Sequence, residues 1–112
     1  MFVRRSEAAV EHPDPGVTRQ ILGHDSEVMM VRVTFVKGAV GYLHHHPHRQ
    51  VSYVERGSFE VRVGEDTTVL REGDCYFVSP DVPHGVTALQ DASLIDVFAP
   101  ARLDFLTPLP RP

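Results

Sequence analysis

Apolar and polar positions alternate in short runs along this chain, and glycine or proline closes almost every run. In VMMVRVTFV (28–36), Met29, Val31, Val33 and Phe35 alternate with Met30, Arg32 and Thr34. QVSYVER (50–56) and SFEVRV (58–63) stand on either side of Gly57, and GED (64–66) reads as a hairpin turn into TTVLRE (67–72). CYFVS (75–79), VTAL (86–89) and SLIDVFA (93–99) complete the set. A period of two, with turn residues at roughly 8–12-residue spacing, predicts an all-β sandwich or barrel. No helical period is present before residue 100. ARLDFL (101–106) fits one helical turn, and TPLPRP (107–112) reads as a frayed, proline-rich tail.

Length and charge narrow the class. A chain of 112 residues makes one domain, with a core over about 17–106 and a frayed N-terminus. The formal charge of -4 and the scattered basic residues argue against a nucleic-acid partner. No run approaches the roughly 18 apolar residues of a membrane span. The arginines of MFVRRSEAAVEHPDPG precede no apolar stretch of signal-peptide length, so a cytoplasmic, soluble domain is expected. The single cysteine, Cys75, excludes an internal disulfide. Its neighbours Tyr76, Phe77 and Val78 predict a buried, inert thiol.

Candidate chemistry concentrates in GYLHHHPHRQVSYVERG (41–57), too far inside the chain to be a purification tag. Residues two apart share a strand face, so His44 and His46 project together and His45 projects oppositely. Pro47 disturbs the pairing and leaves the parity of His48 open. Gln50 shares a face with Ser52 and Val54, opposite Val51 and Tyr53. Two imidazoles and an amide oxygen can thus converge on one point, a donor set that suits Zn, Cu, Fe or Ni. On this stretch alone, a solvated histidine patch remains an alternative. In GDCYFVSPDVPHGV, prolines stiffen a loop ahead of His84, which by itself is either a loop histidine or a ligand. In SLIDVFAPARLDFL, Leu94, Asp96 and Phe98 share one face. A carboxylate there needs partners if buried; an edge-strand position or bonds to backbone amides are the plainer explanations. Arg102 is close enough in sequence to enter the same cavity, or else belongs to the surface of the C-terminal turn.

The two histidine stretches together resemble the cupin superfamily. Its first motif falls on Gly41, His44, His46, Gln50 and Gly57, and its second on Gly73, Pro80 and His84. The resemblance implies a small cupin β-barrel of jelly-roll type, a double-stranded β-helix. Its lumen would hold one divalent metal ion (Zn, Ni, Mn or Fe) on His44, His46, Gln50 and His84, with His45 and His48 at the rim. Many cupins carry glutamate where this chain has Gln50. Four neutral ligands leave the ion its full charge, which favours Lewis-acid or anion-binding work over redox tuning.

With DVFAPARLDFL added, the chain from VTRQILG (17–23) to DFL (104–106) is similar to the KdgF-type pectin-degradation proteins. Members of that family convert 4,5-unsaturated uronates into linear keto-uronates. The resemblance implies a small anionic sugar-acid substrate, with Asp96 moving a proton, Phe98 packing on the sugar and Arg102 pairing with the carboxylate. It also implies a homodimer, for which the N-terminal strands are available. Arg49 stands where the family often has glutamate, adding positive charge beside the metal motif. Two other classes stay open, a metal-dependent dioxygenase and a non-catalytic metal- or sugar-binding module. Neutral Gln50 and the Asp96/Arg102 pair argue against the first. The lack of a helix-turn-helix pattern argues against a stand-alone sensor of the second kind.

Overall fold

The computed structural model describes residues 1–106, so the TPLPRP tail lies outside the described residues. After a short 3-10 turn at Arg5–Glu7 come ten strands: β1 (Glu11–Asp14), β2 (Val17–His24), β3 (Met29–Phe35), β4 (Val40–His44), β5 (Arg49–Arg56), β6 (Ser58–Val63), β7 (Asp66–Arg71), β8 (Cys75–Val78), β9 (His84–Ala88) and β10 (Ala92–Ala99). The turn expected within 101–106 is α1 (Leu103–Leu106). Three strands escaped the alternation pattern. β1 contains Pro13, β2 is half-buried along most of its length, and β4 is half-buried or exposed throughout.

All pairings are antiparallel, in a six-stranded sheet ordered β1-β2-β3-β10-β5-β8 and a four-stranded sheet ordered β4-β9-β6-β7. The jelly-roll expectation holds, with the sheets facing each other as a sandwich rather than closing into one hydrogen-bonded barrel. One core unites both sheets: Val17, Phe35, Val54 and Leu94 of the larger meet Phe59, Val61, Val86 and Ala88 of the smaller. Phe35 and Phe59 meet edge to face at 5.1 Å between centroids, an arrangement favoured by the ring quadrupoles. A second cluster of Met29, Val31, Phe98 and Ala101 anchors the segment leading into α1.

β5 shows how period-two chemistry orients the site. Gln50, Ser52 and Val54 are buried, whereas Arg49, Val51 and Tyr53 are exposed on the opposite face. The charge of Arg49 therefore faces away from the cavity. Tyr53 and Phe77 also lie on the outer face, while Tyr76 packs against the core and lines the cavity. Cys75 corrects the expectation of a buried thiol: it is exposed, at the start of edge strand β8 and opposite Tyr53. Its apolar neighbours misled because Phe77 shares its outward parity.

The chain crosses from the larger to the smaller sheet at Gly57, with φ of 76°. A Cβ there would stand 2.6 Å from the Ala92 Cβ and 2.7 Å from the Asp91 carbonyl oxygen. Gly57→Ala combines a left-handed penalty with a backbone clash, and is expected to cost on the order of 2–4 kcal/mol. Urea denaturation measures this, and an unshifted midpoint would contradict the account.

Candidate metal centre and acid–base cavity

A cavity of about 350 Å³ opens between the sheets, lined by His44, Gln50, Tyr76, His84, Asp96 and Phe98 among others. His44 closes β4 and His84 opens β9, directly opposite each other in the register. His84 is therefore a strand residue, not the loop histidine its prolines suggested. Gly85 permits this approach, since a Cβ there would lie 2.9 Å from the Gly41 carbonyl oxygen. His46 lies beyond the end of β4, so strand parity is not what aligns it with His44. Two hydrogen bonds do that instead. The Asp81 N–H, from the loop before His84, donates to the His46 carbonyl at 2.8 Å, and the His46 ring is held through Nδ1 at 3.1 Å from the His48 carbonyl.

The same bond recurs on all three rings. His44 Nδ1 lies 2.7 Å from the Tyr42 carbonyl, and His84 Nδ1 lies 2.9 Å from the Val82 carbonyl. A carbonyl oxygen only accepts, so each Nδ1 carries a proton, and in its neutral form each ring keeps a lone pair on Nε2. The rings offer ligand atoms within 4.8 Å of one another. Gln50 Oε1 stands 2.9 Å from His46 Nε2 and 3.1 Å from His84 Nε2. Lone pairs facing an amide oxygen at that range repel unless a cation lies among them. Protonation is a poor remedy: burial lowers the pKa of His46 and pushes that of His84 down to about 4. Donor-to-donor separations near 3 Å are what ligands roughly 2.0–2.1 Å from a common centre present. The donor set fits a divalent ion. His44 is exposed while His46, His84 and Gln50 are buried, so the cluster has one accessible side.

Beyond the cluster, Gln50 Nε2 donates to Ser52 Oγ at 2.8 Å, and Ser52 Oγ donates to Asp96 Oδ1 at 2.6 Å. Among the described residues Asp96 is bonded to Ser52 rather than to backbone amides, and its strand is not an edge. It sits on the central strand β10, between Val31 and Ser52. Burial pushes its pKa up to about 6, opposed by the Ser52 hydrogen bond and by the positive charge of Arg102. Burial, followed by the charge of Asp96, raises the Tyr76 phenol, which stays protonated.

Arg102 lines the cavity with a mostly buried side chain, rather than lying on the surface. Its Nε and Nη2 donate to the two Asp104 oxygens at 3.0 and 2.8 Å, so that edge of the fork is taken. The guanidinium lies 4.2 Å from the Phe105 centroid and 5.2 Å from that of Phe98. Arg19 stacks on Phe105 at 3.9 Å and bonds Glu11 at 3.0 Å. His45 is exposed, and the His48 ring is half-buried with Nδ1 unpartnered among the described residues; neither ring belongs to the cluster of His44, His46 and His84. Ser52, Tyr76 and Arg19 went unassigned in the sequence. Shared parity with Gln50 was the one available signal for Ser52.

A family model described as "Cupin domain" matches residues 31–98. The "Pectin degradation protein KdgF" of Dickeya dadantii (strain 3937) is 42% identical over 102 residues, covering 89% of this chain and 93% of that protein. Among solved structures, an RmlC-like cupin from Shewanella frigidimarina NCIMB 400 superposes with a TM-score of 0.90 at 45% identity, covering 93% of this chain and 94% of the other. KdgF from Halomonas sp. gives a TM-score of 0.90 at 36% identity, covering 94% and 97%.

The raised pKa of Asp96 has a stability consequence. The folded state holds its proton more tightly than the unfolded chain, so this group's stabilisation is complete below pH 3.8 and is lost as pH rises through about 6. At about 1.4 kcal/mol per pKa unit, Asp96→Asn in chelator-treated protein is expected to be more stable than wild type at pH 7. The difference should vanish near pH 4. Equal melting temperatures at both pH values would contradict this environment for Asp96.

Proposed function

The chain belongs to the cupin family, its KdgF-type members included, and on that premise we propose that it converts a 4,5-unsaturated uronate monosaccharide into the linear keto form. The observation that carries the proposal is the placement of Asp96 and Arg102 in one cavity with the histidine cluster. The likeness to proteins named for pectin degradation supports a sugar-acid substrate.

In this reading His44, His46, Gln50 and His84 hold one divalent ion (Zn, Ni, Mn or Fe). When bound, that ion supplies Lewis-acid stabilisation of oxygens that gain negative charge. The remaining work falls to the chain. Arg102 receives the substrate carboxylate on the fork edge that Asp104 leaves free, keeping a charge-assisted contact. Its stacking on Phe105 and the pairing with Asp104 hold the guanidinium in place before substrate arrives. Phe98, buried between His46 and Phe105, presents an apolar wall to the sugar and excludes water.

Ring opening takes the proton from the C1 hydroxyl and breaks the C1–O5 bond, leaving an aldehyde at C1 and an enolate at C5. A proton delivered to C4 completes the ketone, and the atoms balance as an isomerisation. Asp96 is the group that moves the proton. A carboxyl titrating near 6 can accept and return one at neutral pH, where an ordinary aspartate is too weak a base. A homodimer belongs to the same proposal. Its support is the free edge of β1 and the exposed Val51, Tyr53 and Phe77 on the outer face of the larger sheet.

The test mixes purified protein with 4,5-unsaturated galacturonate and follows loss of the ring-enol absorbance. Decay should exceed the spontaneous rate and stop after chelation. Asp96→Asn should lower turnover by roughly 100- to 10,000-fold while bound metal stays at the wild-type level. Loss of metal in that variant would place Asp96 among the ligands and overturn its assignment. Tight uronate binding without turnover would point to a non-catalytic binding module.

A further inference from the structure

Gln50 has two chemically opposite ends, and only one of them can hold a cation. With oxygen inward, the amide presents a lone pair to the space between His46 Nε2 and His84 Nε2. With the NH2 inward, it would donate to those same nitrogens and occupy their lone pairs itself. In the absence of a cation, the imidazoles on their own favour the NH2-inward state. Something on the far side of the amide must therefore select the oxygen-inward state. At that position stands Ser52, fully buried and within hydrogen-bond distance of both Gln50 and Asp96.

We propose that the Ser52 hydroxyl is a positioning residue that sets which end of Gln50 faces the three histidines. A hydroxyl has one proton to give. Ser52 Oγ lies 2.6 Å from Asp96 Oδ1, an acceptor when ionised, so its proton is committed there. Toward Gln50, 2.8 Å away, only its lone pairs remain. They demand a donor, and the donor is the Gln50 NH2. The polarity of the chain Asp96–Ser52–Gln50 thus runs in one direction and ends with the amide oxygen at the cluster. Reversing the amide would set its oxygen against the Ser52 oxygen with no proton between them. A buried acceptor left facing another acceptor disfavours that state.

The strand pairing makes this selection rigid. Ser52 is paired across β10 to Asp96 and across β8 to Tyr76, and Gln50 lies two residues away on the same face. Asp96 thereby serves the cluster without being a ligand of it. Its Oδ1 takes the Ser52 proton, a role the carbonyl oxygen of an asparagine also fills, so Asp96→Asn keeps the polarity of the chain and the bound metal.

The inference rests on Gln50 being a ligand, and the experiment separates the two claims. Zinc affinity of chelator-treated protein is measured by competition with a chromophoric chelator for wild type, Gln50→Ala, Ser52→Ala, and the isosteric pair Ser52→Thr and Ser52→Val. Substituting a residue that orients a metal ligand typically costs about 10- to 100-fold in affinity. That loss is expected for Ser52→Ala and Ser52→Val, with Ser52→Thr close to wild type. Thr and Val share a shape and differ in the hydroxyl, so packing changes cancel between them. A carboxylate presents oxygen at both positions and has no wrong end. In a Gln50→Glu background, Ser52→Ala should therefore lose nothing further. Equal affinity for the Thr and Val variants, or a Ser52→Ala loss that persists beside Gln50→Glu, would overturn the inference. If Gln50→Ala itself binds zinc like wild type, the ligand reading fails and the inference falls with it.

Discussion

The site depends on a repulsion that its own fold creates. Three backbone carbonyls, from Tyr42, His48 and Val82, hold the Nδ1 protons of His44, His46 and His84. Every one of those bonds turns an Nε2 lone pair outward. Two of these nitrogens then face the Gln50 oxygen across about three ångströms. Electron-rich atoms arranged in this way stabilise a cation and little else, and burial denies them the proton as a substitute. The fold carries an electrostatic cost at this point that a bound cation would relieve.

The two-sheet architecture explains how such a cluster is assembled from distant parts of the chain. His44 and His84 come from neighbouring strands of the smaller sheet, while Gln50, Ser52 and Asp96 come from the inner face of the larger one. The Phe35–Phe59 contact and the shared core fix the sheets against each other. His46 bridges them from a loop, tied down by Asp81. Asp96, the proposed acid–base group, sits two hydrogen bonds from Gln50, the proposed ligand, so the proposed proton chemistry and cation binding would share one framework. Arg102 and the Phe98–Phe105 pair form the apolar and cationic wall beside it.

Much of this was legible in the sequence because period-two alternation is enforced by burial. The face shared by Gln50, Ser52 and Val54, and that shared by Leu94, Asp96 and Phe98, were read correctly for that reason. The same rule failed where one side of a strand meets no core. Cys75 read as a buried thiol although its edge strand turns it outward together with Phe77, and β4 carries too little burial to mark itself. His46 reached its expected partners through a loop hydrogen bond that no spacing rule encodes. The environment of Asp96 was half legible: its need for a partner followed from an apolar strand, but the partner, Ser52, lies 44 residues away in sequence.

The most direct test of the account is the X-ray absorption spectrum of the zinc-loaded protein. One ion per chain should show nitrogen or oxygen scatterers at about 2.0–2.1 Å, with the outer-shell scattering of three imidazoles. The imidazole contribution should fall by one ring in His84→Ala. A first shell without imidazole scattering, or a spectrum unchanged by that substitution, would show that the convergent lone pairs are not what binds the ion.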